Sequence, residues 1–194
     1  FNAYSLIDFD YQESSGVDAI RFQYYTGEMS SIEFAIQPGD NIDKSIFAGL
    51  WKFNLYENDF QVLLGNYYSD YAIGLGWAGS LKKTGLKFES TYFTPKNNII
   101  NTPNVLSSSI SIEYSTKKGI YFNSSVLYNS NGNDRNTTSD NLFGSFLKNI
   151  SAKNLMPSNI TYFSQISGSF TPAINASFSS FYMKGEEMLL IMPS

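Results

Sequence analysis

The chain has no cysteine and no histidine, and only two of its 13 basic residues, Arg21 and Arg135, are arginines. Without cysteine there is no disulfide, no thiolate metal ligand and no cysteine nucleophile. Without histidine, catalytic centres of the Ser-His-Asp type are excluded from these 194 residues. We therefore expect a protein that is not an enzyme and that holds no metal and no cofactor.

Basic charge and long apolar runs are also scarce. The net charge is −4, whereas nucleic-acid binding requires lysine and arginine clustered on one face, so nucleic acid is not an expected partner. No apolar run approaches the roughly 20 residues of a membrane-spanning helix. The first residues show neither the basic start nor the apolar segment of a signal peptide. We expect the chain to be a mature protein or an internal piece of a longer one.

The dominant pattern is an alternation with a period of two, which indicates β-strands because successive side chains leave a strand on opposite faces. In SSSISIEYS (107–115), Ser107, Ser109, Ser111 and Glu113 alternate with Ser108, Ile110, Ile112 and Tyr114. About eleven such runs follow one another, typically of 8 to 11 residues. Strands of soluble proteins cluster near 5–6 residues, whereas strands that cross a membrane need about 9–11.

The two faces of these strands differ in chemistry. One carries small polar residues and scattered charges, and the other is bulky and often aromatic. A soluble β-sandwich shows the same alternation with its apolar face inward, and tyrosines pack across strands there too. Rings with a polar tip near strand ends, however, favour a boundary between lipid and water. The predicted aromatic girdle comprises Tyr24, Trp51, Tyr68, Trp77, Tyr92, Tyr114, Tyr128 and Tyr182.

The connections between predicted strands alternate in length. One set is short, and the other contains the long connections 94–104 and 129–158. Outer-membrane barrels have short periplasmic turns and longer extracellular loops. The pattern predicts that Ile110 and Ile112 face lipid, while Ser111 and Glu113 face a wet interior. The predicted short set is 27–30, 56–59, 79–85, 116–119 and 171–173.

Three segments resemble hairpins of bacterial outer-membrane β-barrel proteins of the porin-like kind. They are YAIGLGWAGSLKKTGLKFESTYF (71–93), KKGIYFNSSVLYN (117–129) and KNLMPSNITYFSQISGSFTPAINASFSSFYM (153–183). The resemblance implies an all-β, antiparallel, up-and-down transmembrane barrel in the bacterial outer membrane, with residues 1–194 forming a single barrel domain. Such proteins end on a strand with an aromatic residue, whereas this chain ends on LLIMPS. We expect a barrel that is incomplete at the C-terminus and has twelve or more strands in full.

Charged side chains on the predicted inner face are balanced between the two signs. Charged rings set the selectivity of pores, and a balanced set with so little arginine argues against a dedicated phosphate channel. The alternative is that these charges only pair across strands, each exposed pair contributing less than about 1 kcal/mol. The predicted lumen-lining residues are Arg21, Glu33, Lys52, Lys87, Glu89 and Glu113.

The 129–158 connection is predicted to be a long extracellular or lumen-inserted loop. Within it, SDNLFGSFLKN (139–149) begins with N-cap-like residues, and its apolar residues are spaced as one face of a helix. Such a helix would either narrow the lumen or lie on the outer rim against lipid headgroups. The candidate constriction residues are Leu142, Phe143, Phe146 and Leu147.

The leading functional hypothesis is passive diffusion of small polar solutes through a water-filled lumen. The alternative is a barrel without transport activity, acting as a structural or assembly subunit or as an adhesion platform in a surface complex. An enzyme would need histidine or a paired acidic site from sequence outside this chain. The expected partners are outer-membrane lipid, small polar solutes and other barrel or surface-complex subunits.

Overall fold

The computed structural model describes residues 18–41, 44–96, 103–132, 151–153, 158–171 and 174–193. Within these ranges no helix is long and apolar enough to cross a membrane. The same ranges hold a short 3₁₀ turn, Lys184–Glu186, and eleven strands. The strands are β1 (Ile20–Gly27), β2 (Ser30–Gln37), β3 (Ile46–Leu55), β4 (Asn58–Tyr67), β5 (Asp70–Leu81), β6 (Thr84–Pro95), β7 (Val105–Ser115), β8 (Ile120–Asn129), β9 (Ile160–Thr171), β10 (Ile174–Met183) and β11 (Met188–Pro193).

The strand order is β1 to β11 without a crossover, so each strand is hydrogen-bonded to its neighbour in sequence. The expected all-β, antiparallel, up-and-down sheet of about eleven strands is confirmed. By contact density the chain divides into two compact units. Unit 1 contains the described residues up to Trp77 together with Ser90–Val105, and unit 2 contains Ala78–Glu89 and the described residues from Leu106 onward.

Connections of two to four residues join one set of strand ends, whereas the connections at the opposite ends range from two residues (68–69) to thirty (130–159). We call the strand ends joined by 28–29, 56–57, 82–83, 116–119 and 172–173 the turn end, and the opposite ends the loop end. The turn between β5 and β6 is shorter than the predicted 79–85 connection, because Gly79 and Ser80 continue the extended backbone to Leu81. Small residues hide the alternation there without interrupting the strand.

Two turns illustrate how backbone conformation is fixed at the turn end. Tyr56 and Glu57 both have positive φ, 51° and 60°, which is the type I′ geometry that matches the twist of a two-residue hairpin. Gly119 has φ 79°, and its N–H donates to the Thr116 carbonyl at 3.1 Å. Glycine adopts that conformation without steric cost, whereas Tyr56 and Glu57 do not.

Replacing Tyr56 and Glu57 together by Asn and Gly is expected to stabilise the fold. Each non-glycine residue in the left-handed region costs about 1–3 kcal/mol, and Asn-Gly is the pair that type I′ turns prefer. The temperature at which the folded protein loses its structure should therefore rise. The same pair of changes at Lys117 and Lys118 is the control, because neither residue has a positive φ and no gain is expected there.

Burial alternates along the strands with the same period of two. On β5, Ile73 is 50% exposed while its neighbours Ala72 and Gly74 are buried. In unit 2, Ile110 of β7 is 52% exposed and Ser125 of β8 only 2%. We call the face with the large apolar side chains the exposed face, and the other the covered face. Small polar residues of the covered face such as Ser107, Ser125 and Ser179 are therefore more deeply buried than these isoleucines.

The covered face of unit 2 is not polar throughout. Phe163 and Phe181 stand opposite each other on β9 and β10 with ring centroids 4.7 Å apart. Leu127 and Thr161 form the next pair towards the loop end, and Met183 faces Thr161 from β10. All five side chains are buried, and we call them the packed zone. A covered face of small polar residues and scattered charges was expected, and the packed zone differs from this expectation.

Candidate functional site

A cluster of charged side chains lies on the covered face of unit 1, centred on Glu33 of β2. The Glu33 Oε2 atom lies 2.7 Å from Arg21 Nη2, and its Oε1 atom lies 2.9 Å from Lys52 Nζ. Gln23 Nε2 also donates to Oε1, at 3.3 Å. The Glu33 side chain is only 9% exposed, so both carboxylate oxygens are satisfied by protein donors rather than by water.

The strand register brings this cluster together. Gln23 stands directly opposite Glu33, and Lys52 stands opposite Ser31, two residues from Glu33 on the same face. Diagonal neighbours across a strand pair lie within reach of long side chains, which lets Lys52 and Arg21 converge on one carboxylate. Three of the predicted lumen-lining residues therefore form one ion cluster.

This face carries two further acidic residues, Asp59 of β4 and the buried Asp70 of β5. The pair Asn54 and Asp59 follows Lys52 and Gln61 along β3 and β4 on the same face. Asn54 Nδ2 donates to Asp59 Oδ1 at 2.8 Å. Arg21 and Lys52 thus share the described covered face of unit 1 with three acidic residues, Glu33, Asp59 and Asp70, so this face presents charge of both signs.

The covered face of unit 2 holds a separate ion pair. Lys87 Nζ lies 2.6 Å from Glu113 Oε1. The Glu113 side chain lies beside Gly85, where a Cβ would be 3.6 Å from the Glu113 Cβ. Glu89 lies two residues from Lys87 and so on the same face of β6. The three remaining lumen-lining candidates therefore share one face, and two of them are in direct contact.

Uncharged polar side chains surround that ion pair. Asn123 stands opposite both Glu113 and Gln165, and Gln165 stands opposite Ser179. Ser111 stands opposite Ser125 in the next row. Hydroxyl and amide groups both donate and accept hydrogen bonds. The turn-end half of this face is therefore hydrophilic, in contrast to the packed zone at the loop end.

Two glutamines in unit 1 were not among the sequence candidates but belong to the site. Gln23 joins the Glu33 cluster, and Gln61 lies where a side chain at Gly76 would otherwise be. Gly74 is similarly covered, since a Cβ there would be 3.1 Å from Leu63 Cβ and from Thr91 Oγ1. The glycines of β5 thus make room for side chains of β4. Both glutamines stand at alternate strand positions that also carry charged residues, and this pattern could have identified them from the sequence.

The predicted girdle residues occupy the exposed face, in two groups. Trp77 donates from Nε1 to Asn58 Oδ1 at 3.2 Å, and Tyr182 packs against Tyr162 with ring centroids 6.2 Å apart. Tyr68 lies immediately after β4. Towards the turn end lie Tyr24, Trp51, Trp77 and Tyr114, and towards the loop end lie Tyr68, Tyr92, Tyr128 and Tyr182.

The constriction candidates Leu142, Phe143, Phe146 and Leu147 lie outside the described residues. The ends of their loop are anchored by Asn129, a buried residue of the covered face. Its Nδ2 donates to the Lys153 carbonyl at 3.1 Å, and its Oδ1 accepts from the Asn131 N–H at 2.9 Å. Ser158 Oγ accepts from the Gly185 N–H at 2.7 Å. Both ends of the loop therefore meet the covered side of unit 2.

Among the described residues, no group of three acidic side chains is placed to hold a metal ion. Comparison with protein-family models, with curated proteins and with solved structures finds no match to this chain. The fold itself gives the structural class of this chain. It is an antiparallel, up-and-down sheet with an apolar exposed face and a covered face that carries ion pairs.

Proposed function

We propose that this chain forms a transmembrane β-barrel of the bacterial outer membrane, through which small polar solutes diffuse passively. The observation that carries the proposal is the inverted burial of the strands. Ile73, Ile110 and Ile112 are about half exposed, while Ser107, Ser125 and Ser179 are buried. Lipid as the surrounding medium accounts for this pattern, because apolar side chains then face acyl chains and polar ones are sheltered.

The size of the apolar surface supports a membrane location. Burying one large apolar side chain contributes about 1.5–3 kcal/mol, and soluble monomers rarely expose apolar patches larger than a few hundred Å². Here such side chains recur on almost every strand of both units. The strands of 10 to 12 residues from β3 to β10 are also long enough to cross a bilayer at a tilt.

The polar half of the covered face supports solute passage. Arg21, Lys52 and Glu33 in unit 1, and Lys87 with Glu113 in unit 2, place charge of both signs on that face. A lining that carries charge of both signs favours small hydrophilic solutes. In this proposal the protein is not an enzyme, and the turn end faces the periplasm.

A second candidate function is favoured by the packed zone. Phe163, Phe181 and Leu127 fill part of the covered face with buried apolar side chains, which a wet channel does not require. A barrel filled in this way would act as a structural or assembly subunit, or as an adhesion platform whose 129–158 loop binds a partner of a surface complex. Both candidates share the membrane barrel and differ in whether water passes through it.

Two measurements test the proposal in sequence. A closed barrel resists SDS when cold, so the unboiled protein should migrate at a different apparent size from the boiled protein. Insertion into a planar bilayer should then give discrete conductance steps. A heat-dependent shift without conductance would favour the non-transporting barrel. Solubility in plain buffer without any shift would contradict the membrane barrel itself.

A further inference from the structure

Lysines are concentrated in two turns of unit 2. Lys82 and Lys83 connect β5 to β6, and Lys117 and Lys118 lie in the turn from β7 to β8. All four side chains are exposed. In the described part of the chain none of the four makes an ion pair. Four cations therefore stand at the turn end without acidic partners.

The two turns are held side by side. The Lys87–Glu113 pair, at 2.6 Å, joins β6 to β7 close to the turn end. The Cβ position at Gly85 is 3.6 Å from the Glu113 Cβ, so the strands approach closely where the turns begin. Because Glu113 is engaged by Lys87, the carboxylate nearest to the turns already has a cation. The four turn lysines therefore form one basic patch.

Apolar side chains of the exposed face border this basic patch. Leu81 immediately precedes Lys82, and Ile120 follows the turn that contains Lys118. Tyr114 lies on the same face of β7, and all three side chains are exposed. Cations flanked by leucine, isoleucine and tyrosine are typical of the boundary between acyl chains and headgroups.

The turns of unit 1 have the opposite character. The turn between β1 and β2 contains Glu28 and Met29, and the turn between β3 and β4 contains Tyr56 and Glu57. Neither contains a basic residue. The paired lysines are therefore a property of two particular turns rather than of hairpin turns in this chain generally.

We propose that the basic patch Lys82, Lys83, Lys117 and Lys118 binds the phosphate groups of anionic phospholipids at the turn-end surface of the membrane. The inference rests on the proposed membrane barrel. Each lysine near an anionic bilayer surface contributes roughly fivefold in affinity at moderate salt. The four together concentrate anionic headgroups around unit 2, and high salt screens the effect.

The test compares lipid contacts of the full chain reconstituted in vesicles of equal parts phosphatidylglycerol and phosphatidylcholine. One lipid at a time is brominated, and the reporter is the tryptophan of a Leu81→Trp variant in a Trp51→Phe, Trp77→Phe background, because Leu81 is exposed and adjoins Lys82. We expect brominated phosphatidylglycerol to quench at least about fivefold more effectively than brominated phosphatidylcholine, a preference lost in 1 M salt. In the variant K82Q/K83Q/K117Q/K118Q the two lipids should quench about equally.

The matched control is K44Q/K96Q/K153Q/K184Q, which removes the same charge from loop-end positions and should keep the preference. An unchanged preference in the turn variant, or its equal loss in the control, would overturn the proposed headgroup site. Absence of quenching by either lipid, without a heat-dependent shift in SDS, would instead overturn the membrane barrel. The two failures are therefore distinguishable.

Discussion

Replacing Ile110 with lysine is expected to destabilise the folded protein by about 2–4 kcal/mol, because a charge on the lipid face near the bilayer midplane costs that much. Ile110 lies at the centre of the 11-residue strand β7 and is 52% exposed. In a soluble protein the same change at so exposed a position would shift stability by less than about 0.5 kcal/mol. The folding equilibrium constant should therefore fall at least about tenfold further if Ile110 faces lipid than if it faces water.

The neighbouring substitution Ser111→Lys is the matched control. Ser111 lies on the covered face, opposite Ser125 and two residues from Glu113, so a lysine there remains among polar groups. Urea titration of both variants in lipid vesicles, followed by the heat-dependent SDS shift, measures the difference. Equal stability of the two variants would contradict a lipid-facing β7.

Replacing Glu33 with glutamine is expected to change both stability and ion selectivity. Glu33 accepts from Arg21, Lys52 and Gln23, and losing charge-assisted hydrogen bonds costs about 1–3 kcal/mol. The lower part of that range applies, since Arg21 and Lys52 are each about half exposed to water. Removal of the carboxylate also takes one negative charge from the covered face beside Arg21 and Lys52, so this face becomes more attractive to anions.

Reversal potentials across a planar bilayer under a salt gradient measure this second effect. We expect the potential of Glu33→Gln to move towards that of chloride, while Glu28→Gln, an exposed residue of the β1–β2 turn, leaves it unchanged. A destabilised variant with unaltered selectivity would mean that the cluster holds β1, β2 and β3 together without contacting the permeating ions.

The alternation with a period of two predicted the sheet well, because alternate side chains of a strand lie on opposite faces and the two faces differ in burial. In most of β5 and β7 small or polar residues alternate with large apolar ones, so the faces could be assigned without knowing the medium. The predicted connection 171–173 differs by one residue from the 172–173 connection between β9 and β10. Errors occurred mainly at the turns, as at 79–85, where glycine and serine fit strand and turn equally well.

The composition of the covered face was predicted only in part. Leu127, Phe163 and Phe181 occupy positions that the alternation assigns to polar residues, and nothing local distinguishes them from neighbouring apolar residues. The ion pairs depend on register. Glu33 meets Lys52 through the β2–β3 pairing. Lys87 and Glu113 lie on β6 and β7, which the connection 96–104 joins. The length of that connection does not by itself determine how the two strands are aligned.

The strictly sequential strand order has a consequence for folding kinetics. Nearly every pairing is closed by a short connection, which favours rapid zipping of local hairpins. The junction of β8 with β9 must instead close residues 130–159. That connection is about four doublings longer than a two-residue turn, and each doubling costs roughly 0.6 kcal/mol in chain entropy. The β7–β8 and β9–β10 hairpins should therefore form separately, and their joining along Tyr128 and Ile160 should be the slow step of unit 2.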